Sequence, residues 1–279
     1  MQIIRKLGPL RDALDKFRKD ECKIGLVPTM GALHAGHMRL VEVAVEQCDI
    51  VVASIFVNPA QFSEGEDLDT YPRQEALDLA LLEAAGVALV WAPTLDQIYP
   101  EDYSTKVYVG GLSEGLDSLT RPDFFEGIAT VVTKLFNQIR PDAAYFGEKD
   151  FQQLSIIKRL TRDLDFTHEV VGVETVREED GLALSSRNAY LSEAEREKAA
   201  DLPRIMTEVA KKISGGEEIA PVLDEARVDL LSCGFHTIDY LEVREAATLN
   251  PVEKIAQPSR LFAAVHIGTT RLIDNIAIG

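Results

Sequence analysis

The chain has 279 residues, 46% hydrophobic and 27% charged, a composition that buries a real core and excludes global disorder. Its 29 Lys and Arg stand against 46 Asp and Glu, and the net charge of −17 disfavours broad nucleic-acid binding while leaving room for a locally positive pocket. Three cysteines without CxxC spacing argue against a disulfide framework or a cysteine zinc site.

Residues 1–18 are interrupted by charges and lack the apolar core of a signal peptide, and no run approaches the ~18 apolar residues of a membrane span. A soluble, cytoplasmic protein is expected.

Strand and helix patterns alternate through the first two thirds. Residues 23–27 read as a short buried strand, 28–36 as a Gly-rich turn and 37–48 as a helix, with Met38, Val41, Val45 and Cys48 at helical spacing. Residues 49–57 form a β-branched strand apolar enough for a sheet centre, and a polar loop over 58–72 leads to a helix at 73–85 that Gly86 can end. Strands are expected at 87–91, 143–146 and 167–176, and helices at 128–139 and 150–164. This alternation specifies a doubly wound parallel α/β sheet.

Near residue 176 the pattern changes. A charged loop spans 177–188. Ser192 with Glu195 is a capping box that opens a long polar helix to about residue 213. A helix at 221–232 and strands at 238–244 and 261–267 complete a small α+β domain, giving expected domains of 1–175 and 176–279. No internal repeat or low-complexity segment is present.

Four segments carry chemistry. The turn PTMGALHAGH joins the first strand to the first helix, where backbone N–H groups and the helix dipole favour phosphate. Gly31 and Gly36 permit close approach, and His34 and His37 bracket Gly36, able to donate to an oxyanion at phosphorus. The bland alternative is a tight turn whose histidines bond backbone. The turn is neither a dinucleotide fingerprint nor a Walker loop.

In SIFVNPAQF, Asn58 and Gln61 follow the second strand, where open sheets bind ligands; turn chemistry explains Asn-Pro equally well. In YFGEKDFQQ, Lys149 suits a triphosphate and Asp150 a ribose or magnesium, while Asp150 with Gln153 also fits helix capping. In DGLALSSRN, Ser185, Ser186 and Arg187 suit a lid over phosphate, against a plain solvated loop.

Together these segments resemble the pantoate–β-alanine ligase family. The likeness runs in order through PTMGALHAGH, FVNPAQF, LDTYPR, RPDFFEGIATVVTKLF, FGEKDFQQL and TVREEDGLALSSRNAYLS, with less diagnostic pattern in the last ~80 residues. The resemblance implies a Rossmann-like domain of the HIGH-motif nucleotidylyl transferase type at 1–175, binding ATP and pantoate, and a lid domain at 176–279. It implies attack of the pantoate carboxylate on the α-phosphorus of ATP, then attack of the β-alanine amine on the adenylate. Met30, Gly31, Ala32, Leu33, His34, Ala35, Gly36 and His37 would line the ATP site, with His34 and His37 on the phosphates and His37 as proton donor. Gly147, Glu148, Lys149 and Asp150 would also bind ATP, and Val176, Leu184, Ser185, Ser186 and Arg187 would close over it. Lys149 and Arg187 join the histidines as catalytic charges. Gln61 and Gln153 would hold pantoate, with Asn58 beside them, and Asp78 would contact a magnesium ion bridging the triphosphate. A homodimer without nucleic-acid or membrane partners is implied.

Leu184 stands where many relatives carry Met, and Phe124 where many carry His; no role of that histidine is carried over. The competing readings are another HxGH nucleotidylyltransferase, an RNA-charging enzyme, which the acidic charge disfavours, and a non-enzymatic nucleotide-binding module. The excess acid is expected on solvated faces, at 63–69, 178–180 and 192–201.

Overall fold

A computed structural model describes residues 1–62 and 68–278. Most of the acidic run expected at 63–69 therefore lies outside the described residues. The chain divides into two units, and each is taken by itself: Met1–Ser113, Arg121–Glu148 and Gln153–Glu174 in the first, and Glu114–Thr120, Lys149–Gln152 and everything from Thr175 in the second.

In the first unit, β1 (Gln2–Ile4), β2 (Ile24–Thr29), β3 (Ile50–Ile55), β4 (Leu89–Trp91), β5 (Ala143–Gly147) and β6 (Glu169–Val173) form a parallel sheet in the order β1-β4-β3-β2-β5-β6. The strands read as near-continuous apolar runs because helices cover both faces. Leu40, Val41 and Ala44 of α2 (Ala35–Gln47) and Leu82 of α3 (Glu75–Ala84) pack with Val27, Val51, Ala53, Val90 and Tyr145. On the opposite face Trp91 donates its indole N–H to Gln138 Oε1 of α5 (Phe124–Ile139) at 3.0 Å, and α1 (Leu7–Lys19) packs beside α5.

Strand β2 holds the switch point, with β3 on one side and β5 on the other. Ligands bind outside the carboxyl ends of strands at such a crevice. Three candidate segments start there: the turn after Thr29, the Asn58–Gln61 segment after Ile55, and Glu148 after Gly147. Pro28 is tolerated in this central strand because it lies past the β5 pairing, which involves Gly25 and Leu26.

The second unit carries an antiparallel sheet of β7 (Thr237–Glu245), β8 (Ser259–Ile267) and β9 (Thr270–Ile278). Alternate residues Leu261, Ala263, Val265 and Ile267 share a core with α8 (Asp201–Ser214) and α9 (Ile219–Ser232). The fold class matches expectation: a parallel Rossmann-like sheet and a smaller α+β unit.

Several details depart from the sequence reading. The long helix expected from 192 is two helices, α7 (Glu193–Ala199) and α8, separated at Ala200. Pro203 explains the break: without an N–H it cannot continue the ladder to Ala199, but it fits the first turn of a new helix. The Ser192–Glu195 capping box is present, with Ser192 N–H donating to Glu195 Oε2 at 2.8 Å. Strand β9, strand β1, helix α1, the short helix α4 (Leu95–Ile98) and the 3-10 turn Leu116–Leu119 have no counterpart in the sequence reading, and α5 begins four residues early. Helix α6 (Phe151–Asp163) runs close to its expected span.

The 177–188 segment is also more than a solvated loop. Glu178 and Leu182 pair through backbone, a turn at Gly181 closes the hairpin, and Arg177 forms a two-pronged pair with the buried Asp274 at 2.7 and 2.9 Å. Arg196 binds Glu178 and Asp180, both at 2.6 Å, so these acids are ion-paired rather than merely solvated.

Candidate active site

The Gly-rich turn is held from beneath. Thr29 Oγ1 donates to Ser54 O at 2.7 Å and accepts the Gly31 N–H at 3.2 Å. Gly31 (φ +83°) and Ala32 (φ +51°) both adopt the left-handed region, and a side chain at Gly31 would meet Asp78 Oδ2 at 3.0 Å. The Asp78 carboxylate fills that space. Its two oxygens accept the N–H groups of Ala32 and Leu33, each at 2.9 Å, and the residue is 1% exposed. Asp78 is thus a positioning residue for the turn; the expected magnesium contact would draw on the lone pair each oxygen keeps.

The two histidines then form the N-terminal cap of α2. Gly36 N–H donates to His34 Nδ1 at 3.1 Å, and His34 N–H donates to His37 Nδ1 at 3.4 Å, a reciprocal arrangement with ring centroids 4.1 Å apart. A ring nitrogen that accepts a backbone N–H carries no proton, so each neutral ring is the Nε2–H tautomer. Capping and chemistry are therefore not alternatives. The backbone contacts that the bland reading invoked set both rings as Nε2–H donors at a helix N-terminus, where the dipole also favours an anion.

After β3, Asn58 is 1% exposed and fully engaged. Its Oδ1 accepts the Ala60 N–H at 3.3 Å and the Tyr99 hydroxyl at 2.7 Å; its Nδ2 donates to Gln61 Oε1 and to Gly127 O, both at 3.1 Å. The sequence reading places Asn58 on the substrate with Gln61. Its burial and bonding instead make it a support for Gln61, whose Nε2 lies 3.1 Å from Met30 Sδ. Arg121, stacked 3.5 Å from the Phe124 ring centroid, donates to Gln61 O at 3.1 Å. Helix α5 comes this close because Gly127 has no side chain: a Cβ there would lie 2.1 Å from Ala60 O.

Of the remaining expected residues, Gly147 ends β5 and Glu148 follows it, both in the first unit, and Gln153 stands in the first turn of α6. Its neighbour Gln152 is buried and structural, accepting the Asp117 N–H at 3.3 Å and donating to Gly115 O at 3.2 Å. Lys149 and Asp150, expected in the N-terminal domain, belong to the second unit, where Asn275 Nδ2 donates to Lys149 O at 2.9 Å. The Lys149 ammonium lies 3.6 Å from the Asp150 carboxylate. Leu184 N–H donates to Val176 O at 3.0 Å, and Ser185 caps the 3-10 turn Ser186–Tyr190 by accepting the Arg187 N–H at 3.3 Å.

Asp78 as a buttress, Tyr99, Gly127 and Arg121 were not legible as contributors to the site. Gly127 and Arg121 sit within the RPDFFEG motif, but only the fold shows what they touch. Among the described residues, no group of three or more His, Cys, Asp or Glu is arranged to hold a metal, and no helix is long and apolar enough to cross a membrane.

Comparison with known proteins bears directly on this geometry. The family profile described as pantoate-beta-alanine ligase matches residues 2–277. A pantothenate synthetase of Novosphingobium aromaticivorans is 52% identical over 100% of this chain and 99% of its own length. The crystal structure of pantothenate synthetase from Thermus thermophilus superposes with a TM-score of 0.93 at 44% identity, covering 99% of each chain. That of pantoate-beta-alanine ligase from Francisella tularensis, complexed with beta-gamma ATP and beta-alanine, gives a TM-score of 0.83 at 32% identity over 99% of this chain and 97% of that one. With the HxGH turn, the amide segment and the two sheets in place along the whole matched length, this chain belongs to the pantoate–β-alanine ligase family.

Proposed function

We propose a residue-level course for the reaction of this ligase, the ATP-dependent condensation of pantoate with β-alanine through a pantoyl adenylate. The pantoate carboxylate attacks the α-phosphorus, the bond to the β-phosphate oxygen breaks, and pyrophosphate leaves. The β-alanine amine then attacks the acyl carbon, loses a proton, and expels AMP to give pantothenate. No protein nucleophile is needed, because the substrate carboxylate attacks.

Attack of one anion on another needs donors aimed at the charge that grows on the phosphate oxygens. The observation that carries this reading is the paired backbone contact: His34 and His37 each accept a backbone N–H at Nδ1, which makes Nε2 the donor position of each neutral ring. His37 is the donor to the developing charge and His34 its partner. Met30 to His37, Gly147 to Asp150, Val176 and Leu184 to Arg187 are the residues assigned to ATP, Lys149 and Arg187 to neutralise phosphate. Gln61 and Gln153 hold pantoate.

Magnesium would enter with ATP and offset phosphate charge there; Asp78 serves the turn, and no step is routed through the ion. The enzyme works in the cytoplasm as a homodimer, without nucleic-acid or membrane partners.

Pyrophosphate release from ATP tests the course. Release should require pantoate, and pantothenate should form only when β-alanine is added. No turnover with pantoate would sink the reading.

A further inference from the structure

We propose that Tyr99, acting through Asn58, is a positioning residue that fixes the Gln61 carboxamide with its NH2 toward Met30 and the pantoate subsite. The proposal rests on the assignment of pantoate to Gln61.

The orientation of each amide follows from groups whose polarity is not adjustable. Gly127 O can only accept, so the Asn58 atom 3.1 Å from it is the nitrogen; Ala60 N–H can only donate, so the Asn58 atom 3.3 Å from it is the oxygen. The second hydrogen of Asn58 Nδ2 points to Gln61, which must answer with Oε1, at 3.1 Å. Gln61 Nε2 therefore faces away, lying 3.1 Å from Met30 Sδ. A thioether is a weak acceptor, so most of the donor strength of that NH2 remains for an oxygen of the substrate. On the side facing Met30, Gln61 thereby presents a donor. It selects a carboxylate or hydroxyl oxygen and rejects a group that must donate.

Tyr99 closes the chain. Its hydroxyl donates to Asn58 Oδ1 at 2.7 Å, the shortest bond Asn58 makes, and opposes rotation of the amide that carries Gln61. Helix α4 delivers it, as Tyr99 N–H donates to Leu95 O at 2.7 Å. The ring is held independently of the hydroxyl, 4.9 Å from Tyr103 and 6.3 Å from Phe56. Removing the hydroxyl should leave the ring in place.

The test is a double-mutant cycle of Tyr99→Phe and Gln61→Ala, measuring kcat, KM for pantoate and ATP, and the unfolding midpoint. Y99F should raise the pantoate KM about fivefold, as expected for one lost hydrogen bond, with ATP KM and the midpoint unchanged. In the Q61A background Y99F should add nothing, because the residue it positions is gone. An unchanged pantoate KM in Y99F, a parallel rise in ATP KM with a lower midpoint, or a full Y99F effect persisting in the double variant would each overturn the relay. If Q61A itself leaves pantoate KM unchanged, the assignment of pantoate to Gln61 fails, and the relay with it. If only Q61A has an effect, the relay alone fails.

Discussion

The carboxylate of Asp78 accepts the backbone N–H of Ala32 at 2.9 Å, while Ala32 stands in the left-handed region at φ +51°. A strained, non-glycine turn persists because a buried anion ties it down. The same carboxylate accepts the next N–H, from Leu33, so the turn that delivers the two histidines is anchored at two successive residues.

Asp78→Asn turns one of those acceptors into a donor facing an N–H. The variant should lose about 2 kcal/mol of stability, the cost of a broken charged hydrogen bond with a buried donor left unmet. Activity should fall at least about tenfold, since the turn presents both histidines. Raising magnesium should restore none of it. Recovery of activity in a magnesium titration would return Asp78 to the metal-contact role.

His37→Ala should slow adenylate formation far more than it weakens ATP binding, because a donor aimed at developing charge acts mainly in the transition state. Single-turnover pyrophosphate release, set against ATP affinity by titration, separates the two. Equal losses in both would remove the transition-state role.

Gly127→Ala places a methyl 2.1 Å from Ala60 O, which is backbone and cannot swing aside. The substrate segment must move with it. Overpacking of this kind costs about 1–3 kcal/mol, so the thermal midpoint should drop by several degrees and pantoate KM should rise more than ATP KM. A variant with wild-type midpoint and pantoate KM would show that α5 and the segment are not in contact.

Asp274→Ala removes the partner of Arg177 from a site where Asp274 is 3% exposed. Asp274 also pushes the Arg177 guanidinium above its ordinary range through their hydrogen bonds. Breaking such a pair from one side costs about 3–5 kcal/mol, measurable by denaturant unfolding. A loss below about 1 kcal/mol would place the pair in the class of surface bridges.

Arg196 holds the Asp180 carboxyl below its ordinary range by direct hydrogen bonding. A depressed folded value means that the contribution is complete above the unfolded value of about 3.9 and is lost as pH falls through the folded value. Arg196→Ala should therefore cost a constant amount from neutrality down to about pH 5, shrinking at lower pH. Because Asp180 is more than a third exposed, that amount should stay within about 1 kcal/mol. A difference that grows on acidification would contradict the pairing.

The alternation of strands and helices was legible because its signal is local: β2 is a short apolar run, β3 is a β-branched one, and α2 and α5 repeat their apolar residues at helical spacing. Strand β9 was not legible, since Asp274 and Asn275 interrupt its apolar pattern and are buried against partners distant in sequence, Arg177 for Asp274 and Arg260 and Lys149 for Asn275. The split between α7 and α8 was legible in principle, from Pro203.

The sequence by itself determined the doubly wound class, the HxGH turn, the amide segment and the family, because motif order and periodicity are properties of neighbouring residues. Only the tertiary structure decided the roles of Asp78 and Asn58. Each reads in sequence as a ligand contact, and the fold shows each holding a neighbour: Asp78 the turn bearing His34 and His37, Asn58 the side chain of Gln61. A carboxylate or carboxamide offers the same atoms to a substrate or to backbone. Which it serves depends on what the fold brings within 3 Å, from Gly127 in a helix 69 residues away or from a turn 46 residues away, and no local pattern records that distance.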